Sequence, residues 1–274
     1  MQKVFILGTG RCGTHSFNEI FNTIPNTFSM HEGIYYEKEK RVRISDLKEV
    51  SKYIYFQSKD WKKSIEEIRR LEGAGHDLLR RFFAKRVDII KDCEKNNLNY
   101  IDVNPYGYWA IHHIRNQYPE AKFIHLVRNG YDTVRSFHLR ENTTYTPGID
   151  ESEYSGYRSG KPIPKKAKDR ALWKGYDRVQ KISWFWSEVN QIIEHELSGI
   201  PDDNKILFKL EDLNVDSFST LLSSLGISGD FNQAIVTKRF NPSSVKDIWT
   251  EKNIANFNKI AGKTMRHFRY DLVS

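Results

Sequence analysis

Cysteine is scarce in this 274-residue chain, where only Cys12 and Cys93 occur. Two thiols cannot build a disulfide framework, and no Cys-x-x-Cys or Cys/His spacing points to structural zinc. The expectation is a protein kept in the reducing cytoplasm. Long apolar runs are missing too. None approaches the roughly 18 residues of a membrane span. The apolar residues 4–7 lead straight into Gly8, too soon for the core of a signal peptide. A membrane or secreted protein is therefore not expected. Charge of one sign is also in short supply: 43 Lys+Arg against 35 Asp+Glu leave +8. The cations are scattered and interleaved with acids, which weighs against a basic nucleic-acid-binding module and leaves room for a smaller anionic ligand. Aromatic residues, by contrast, make up 13% of the chain, which argues against disorder and suits a core.

What the chain does contain is alternation. Short apolar, β-leaning runs lie at 4–7, 27–30, 99–103, 122–127 and 205–209. Helical patterns lie at 14–22, 108–117, 130–140, 172–197, 217–225 and 253–267. Residues 35–97 are charged and mostly helical in pattern, and 141–170 read as a long Gly- and Pro-bearing loop or lid. No internal repeat interrupts the order. Strands alternating with helices predict an α/β fold, a three-layer sandwich with a central parallel sheet, formed as one domain over 1–274. Ligands of such sheets bind beyond the carboxyl ends of the strands. Two segments, 8–16 and 128–136, begin at such ends.

Residues 8–16 read GTGRCGTHS. A strand, a glycine-bearing turn and a helix start gather backbone N–H groups and a helix dipole around one point, a setting for phosphate or sulfate. The spacing is that of a nucleotide P-loop, but Thr14-His15 stands where the Walker motif places Lys-Ser or Lys-Thr. A P-loop kinase is thereby weakened as a reading, and the cation has moved inside the loop, to Arg11. In the second segment, Arg128 ends a strand and Ser136 follows two turns into the next helix. An arginine fork and a hydroxyl there suit one phosphate.

Together the two segments resemble the phosphosulfate loop and the 3'-phosphate motif of sulfotransferases that use 3'-phosphoadenosine 5'-phosphosulfate (PAPS). The family's basic-x-G-T-T/S loop is matched by Arg11, Cys12, Gly13, Thr14 and His15. Its V-R-(N/D)-x-x-D-x-x-x-S strand end is matched by Val127, Arg128, Asn129, Asp132 and Ser136. Phe208 to Leu213 resembles the strand ending E-D-L, and Val245 to Trp249 resembles a late cofactor-covering segment in which Lys246 replaces the more usual arginine. His15 replaces the usual threonine. The resemblance implies a P-loop-like phosphosulfate-binding loop in which Arg11, Cys12, Gly13, Thr14, His15 and Ser16 hold the 5'-phosphosulfate. It assigns Arg128, Ser136 and Lys246 to the 3'-phosphate. It further implies sulfuryl transfer, by in-line displacement and without a metal, to a hydroxyl or less readily an amine of a small molecule or sugar, with 3',5'-bisphosphoadenosine (PAP) released. Residues 35–97 and 141–170 become the acceptor-side inserts.

The acceptor hydroxyl needs a base. Glu32 follows the second strand, as does a glutamate proposed as the base in some bacterial sulfotransferases, and burial raising its pKa would suit it. His31 is the rival, since its ordinary pKa already suits the task. The classical cytosolic branch carries a histidine after the third strand; here Val103-Asn104-Pro105 stands there, and Asn104 is left to orient the acceptor. His112 and His113 read as helix surface, and Trp173, Trp184 and Trp186 as core.

Overall fold

Val4, Phe5, Ile6 and Leu7 are all buried, which a strand achieves only inside a sheet covered on both faces. The computed structural model describes residues 1–37, 40–43, 74–105, 107–139, 172–173, 175–236 and 248–273. Its strands are β1 (Lys3–Leu7), β2 (Thr27–His31), β3 (Ile34–Glu37), β4 (Lys40–Arg43), β5 (Asn99–Val103), β6 (Lys122–Val127) and β7 (Lys205–Lys209). Its helices are α1 (Thr14–Phe21), α2 (Ala74–Lys95), α3 (Ile111–Gln117), α4 (Gly130–His138), α5 (Arg178–Leu197), α6 (Val215–Leu225), α7 (Gln233–Val236) and α8 (Glu251–His267).

The sheet runs β4-β3-β2-β5-β1-β6-β7. From β2 to β7 every pairing is parallel. The chain is thus an α/β protein with a five-stranded parallel centre flanked by helices. The hairpin β3–β4 adds two antiparallel strands beyond β2, where the sequence pattern leads one to expect helix. β2 passes into β3 through a two-residue turn: Glu32 and Gly33 both have positive φ, 51° and 70°, as a type I′ connection requires. Residues 74–95, expected within an insert, form the crossover helix α2 that joins the parallel pair β2 and β5. Phe83, Ile90 and Cys93 anchor it in the core. Residues 44–73 and 140–171, with the expected lid, lie outside the described residues.

Two apolar layers follow from the alternation along each strand. Val4 and Ile6 of β1 and Ile124 and Leu126 of β6 face α1 and α6. Phe5, Leu7, Phe123 and Val127 face α3, α4, α5 and α8. Right-handed crossovers put α1, which leads leftward to β2, on the opposite side from the helices that lead rightward. The loops at the ends of β1 and β6 therefore diverge and leave a crevice. At eight residues α1 is too short to be stable alone, so its start is held where packing puts it. Phe17, fully buried, meets Phe208 and Phe218 edge-on, with ring centroids 5.3 and 5.9 Å away. Such pairs contribute about 1 kcal/mol each beyond area burial.

Two buried polar links tie the layers to the strands. Arg86 of α2 donates to Asp102 of β5 at 2.7 Å, both side chains almost wholly buried. His125 of β6 sits between Glu194 and Asn190 of α5, at 2.8 and 3.0 Å. Breaking either pair would leave a charge or polar group stranded, so they specify register more than they add stability.

Candidate anion site at the strand ends

The loop after β1 turns through a run of left-handed residues, Gly10 (φ 74°), Arg11 (φ 56°) and Gly13 (φ 94°). Such a run directs successive N–H groups to one side. Gly13 caps α1, and a Cβ there would come within 2.4 Å of Leu210. Gly8 is required for a different reason: a Cβ would meet Cys12 Sγ at 2.4 Å and the Leu126 carbonyl at 2.8 Å. The loop is thus packed down onto β6. Cys12 belongs to the core, its thiol pushed up by burial, which leaves its backbone and not its sulfur for the site. The first turn of α1 carries no acidic residue, so no carboxylate of that turn opposes an anion at the helix's positive end.

The structure laces this loop to the segment after β6. Arg11 Nε donates to Ser136 Oγ at 3.0 Å, and Arg128 Nη1 donates to the Arg11 carbonyl at 3.1 Å. Each arginine reaches across to the other loop. Ser136, expected at a phosphate, is buried on α4 with its hydroxyl accepting from Arg11. Asn129 caps α4 by accepting the Tyr131 N–H at 2.9 Å. Asp132 in the first turn is neutralised by Arg135 at 2.5 Å.

On the β2 side of the first loop, His31 Nε2 lies 3.1 Å from Thr14 Oγ1, and its ring centroid is 5.7 Å from that of the exposed His15. Burial, then the neighbouring His15, pushes the His31 pKa down to about 4. The imidazole is therefore neutral at pH 7 and a weaker base than its ordinary value suggests. Glu32 follows in the turn, its N–H bonded to the Val103 carbonyl at 2.9 Å. Among the described residues five non-glycines have positive φ: Arg11, Asn26, Glu32, Asn97 and Arg269. Asn tolerates that region, whereas Arg and Glu hold it at a cost of about 1 kcal/mol or more. Two of the three strained residues are Arg11 and Glu32.

Asn104 is buried at the end of β5, its N–H donating to the Ile6 carbonyl at 2.9 Å. Ser16 follows in α1. Lys246 lies outside the described residues, while Trp249 just beyond it packs edge-on to Tyr131 at 4.9 Å. Trp173 and Trp186 are buried, and Trp184 packs against Trp173 and the core. His113 departs from the expected helix surface. Its ring lies on Phe83, centroids 4.6 Å apart, because α2 arrives on that side of α3. Two residues with no assigned role at the site also reach it: the indole N–H of Trp186, expected as core, donates to the Arg128 carbonyl, and Glu211, in the segment resembling the family's E-D-L strand end, accepts the Asn129 N–H. No local signal in the sequence marks either contact, since the partners are 58 and 82 residues apart. Among the described residues no group of three or more metal-ligating side chains occurs, and no helix is long and apolar enough to cross a membrane.

A parallel α/β sheet with a glycine-turned anion loop after its first strand, laced to an arginine-ended strand beside it, defines a class of phosphate- or sulfate-handling proteins. The sequence model of the sulfotransferase family matches residues 3–159, a span holding both loops, and the chain belongs to that family. Family membership makes it an enzyme of sulfuryl transfer in general. No curated protein matches it in sequence. Among solved structures, it is similar to the sulfotransferase domain of the Synechococcus PCC 7002 olefin synthase, with 18% identity, 100% of this chain and 96% of that one covered, and a TM-score of 0.50. Two others are a sulfotransferase from Alicyclobacillus acidocaldarius (14%, 99% and 97%, TM-score 0.48) and the sulfotransferase domain of the curacin biosynthetic pathway (14%, 99% and 99%, TM-score 0.49).

Proposed function

We propose that this chain is a single-domain, cytoplasmic sulfotransferase that takes PAPS as donor and a hydroxyl of a small molecule or sugar as acceptor, an amine being the less suited nucleophile. The observation that carries the reading is the crossed lacing of Arg11 and Arg128 over the end of β1. It brings two cations from different strand ends beside a loop of backbone donors, which supports a ligand with two separate anionic groups. An ordinary adenine nucleotide has its phosphates at one end only.

The residues present fit such a donor. The loop's N–H groups, from Cys12 to Ser16, bind the 5'-phosphosulfate end, in a cradle that a Cβ at Gly13 would distort. Arg11 balances the charge that develops on the leaving oxygen. Sulfuryl transfer resembles phosphoryl transfer, in which positioning and charge stabilisation supply most of the rate. Arg128, joined by Lys246 and the Ser136 hydroxyl where it turns from Arg11, holds the 3'-phosphate. Glu32, at the strained turn beside the crevice, takes the acceptor's proton. His31, neutral at pH 7, holds Thr14 through its Nε2 and keeps positive charge away from the base. The unpaired, buried Cys12 and Cys93 support a reducing compartment.

Calorimetric titration with PAP, ATP and 5'-AMP tests this reading. PAP is expected to bind tightest, and Arg128→Ala to weaken it about 100-fold through loss of a charge-assisted pair. ATP binding as well as or better than PAP would refute the assignment.

A further inference from the structure

A single peptide unit, the one joining Arg128 to Asn129, is held at both of its polar ends. Its carbonyl accepts the indole N–H of Trp186 at 3.2 Å, and its N–H donates to Glu211 Oε1 at 2.8 Å. Because the unit is planar and rigid, holding both ends sets ψ of Arg128 and φ of Asn129 together. Those two angles decide where the strand stops and how α4 begins. They also decide the direction in which the Arg128 side chain leaves the strand tip.

The two holders are themselves fixed. Trp186 is fully buried on α5. Glu211 lies in the single helical turn after β7, and its second oxygen, Oε2, accepts the Tyr270 hydroxyl at 2.7 Å. The Tyr270 ring lies under the Lys209 ammonium, 4.6 Å from its centroid, and Arg269, at φ 56°, turns the chain just before it. A carboxylate placed near an anion site works against anion binding by charge alone. Its position is explained by the geometry it enforces: only an acceptor at this point completes the grip on the Asn129 N–H.

We infer that Glu211 and Trp186 are positioning residues for the second anion site, gripping the 128–129 peptide so that the Arg128 guanidinium is pre-aimed at a ligand's 3'-phosphate. This rests on the proposal that Arg128 binds that group. Glu211 is the better probe, being exposed and thus replaceable without disturbing the core.

The test compares binding of PAP with binding of 5'-AMP, which lacks the 3'-phosphate, in the full-length protein. Glu211→Ala is expected to lose about tenfold in PAP affinity with AMP affinity unchanged. Glu211→Gln keeps an acceptor oxygen and is expected to stay within about twofold of wild type. Trp186→Phe, which keeps an aromatic ring but lacks the donor, is expected to show the same selective loss as Glu211→Ala. Unchanged PAP affinity in Glu211→Ala, an equal loss for both ligands, or an equal loss in the alanine and glutamine variants overturns the inference. Failure of the underlying reading looks different: the wild type itself would then show no preference for PAP over AMP.

Discussion

The loop after β1 presents its backbone, whereas the loop after β6 presents a side chain. In the first, positive φ at Gly10, Arg11 and Gly13 turns the N–H groups inward, and close packing of Gly8 on Cys12 presses the loop onto the sheet. In the second, the helix starts with an ordinary Asn cap, and binding is left to Arg128, whose peptide is gripped from α5 and from the turn after β7. The difference teaches where each kind of site stores its precision. A backbone cradle is specified by glycines next to one another in sequence. An aimed arginine needs partners supplied by distant segments.

That contrast can be broken most sharply through turnover. Arg11→Ala and Glu32→Gln are each expected to lower the transfer rate about 1000-fold, measured with labelled PAPS, while PAP affinity stays within several-fold of wild type. If Arg11→Ala weakened PAP binding as much as Arg128→Ala does, the division of labour between the two loops would collapse.

A smaller effect concerns His31, which packs against the first loop and not the second. Its folded-state pKa, about 4, lies below its ordinary 6.5. The folded protein therefore favours the neutral ring, and the contribution is complete above pH 6.5. As the pH falls from 6.5 to 4, the unfolded chain takes up a proton that the folded one refuses, and stability declines. The wild type is expected to lose up to about 3 kcal/mol more than His31→Asn across that window, read from urea unfolding at each pH. Parallel curves for the two proteins would show that the first loop gains nothing from a neutral ring.

Smallest is the effect of a single methyl group. Gly13→Ala is expected to destabilise the fold by about 2 kcal/mol, from the left-handed φ and the overlap with Leu210. Calorimetry on the same variant should show weakened PAP binding. Unaltered binding would mean that the N–H cradle tolerates a change of backbone angle, and the contrast with the second loop would lose its basis.

Much of the fold was open to reading from residue order. The runs at 122–127 and 205–209 coincide with β6 and β7, because a short run of three or four apolar residues between breakers has few other uses in an α/β protein. The terminal helix and α6 begin two residues earlier than their patterns predict, where Thr250 and Asn214 supply the caps. Strands β3 and β4 escaped, since Lys40 to Arg43 is charged and alternates too weakly to announce a strand, and Glu-Gly, which joins β2 to β3, is not the usual pair for a type I′ turn. His31 looked like a suitable base by residue type alone; burial, invisible in one dimension, altered its chemistry.

By itself, the sequence determined the α/β order, the glycine-turned loop and the presence of Arg11 and Arg128 at strand ends, for these depend on neighbours within a few residues. Tertiary structure alone decided that Arg11 reaches Ser136, that Arg128 reaches back to the first loop, and that Trp186 and Glu211 hold the peptide between Arg128 and Asn129. Those contacts join segments far apart along the chain. Their existence depends on the direction in which each helix crosses the sheet, and that direction is set only when both apolar layers close.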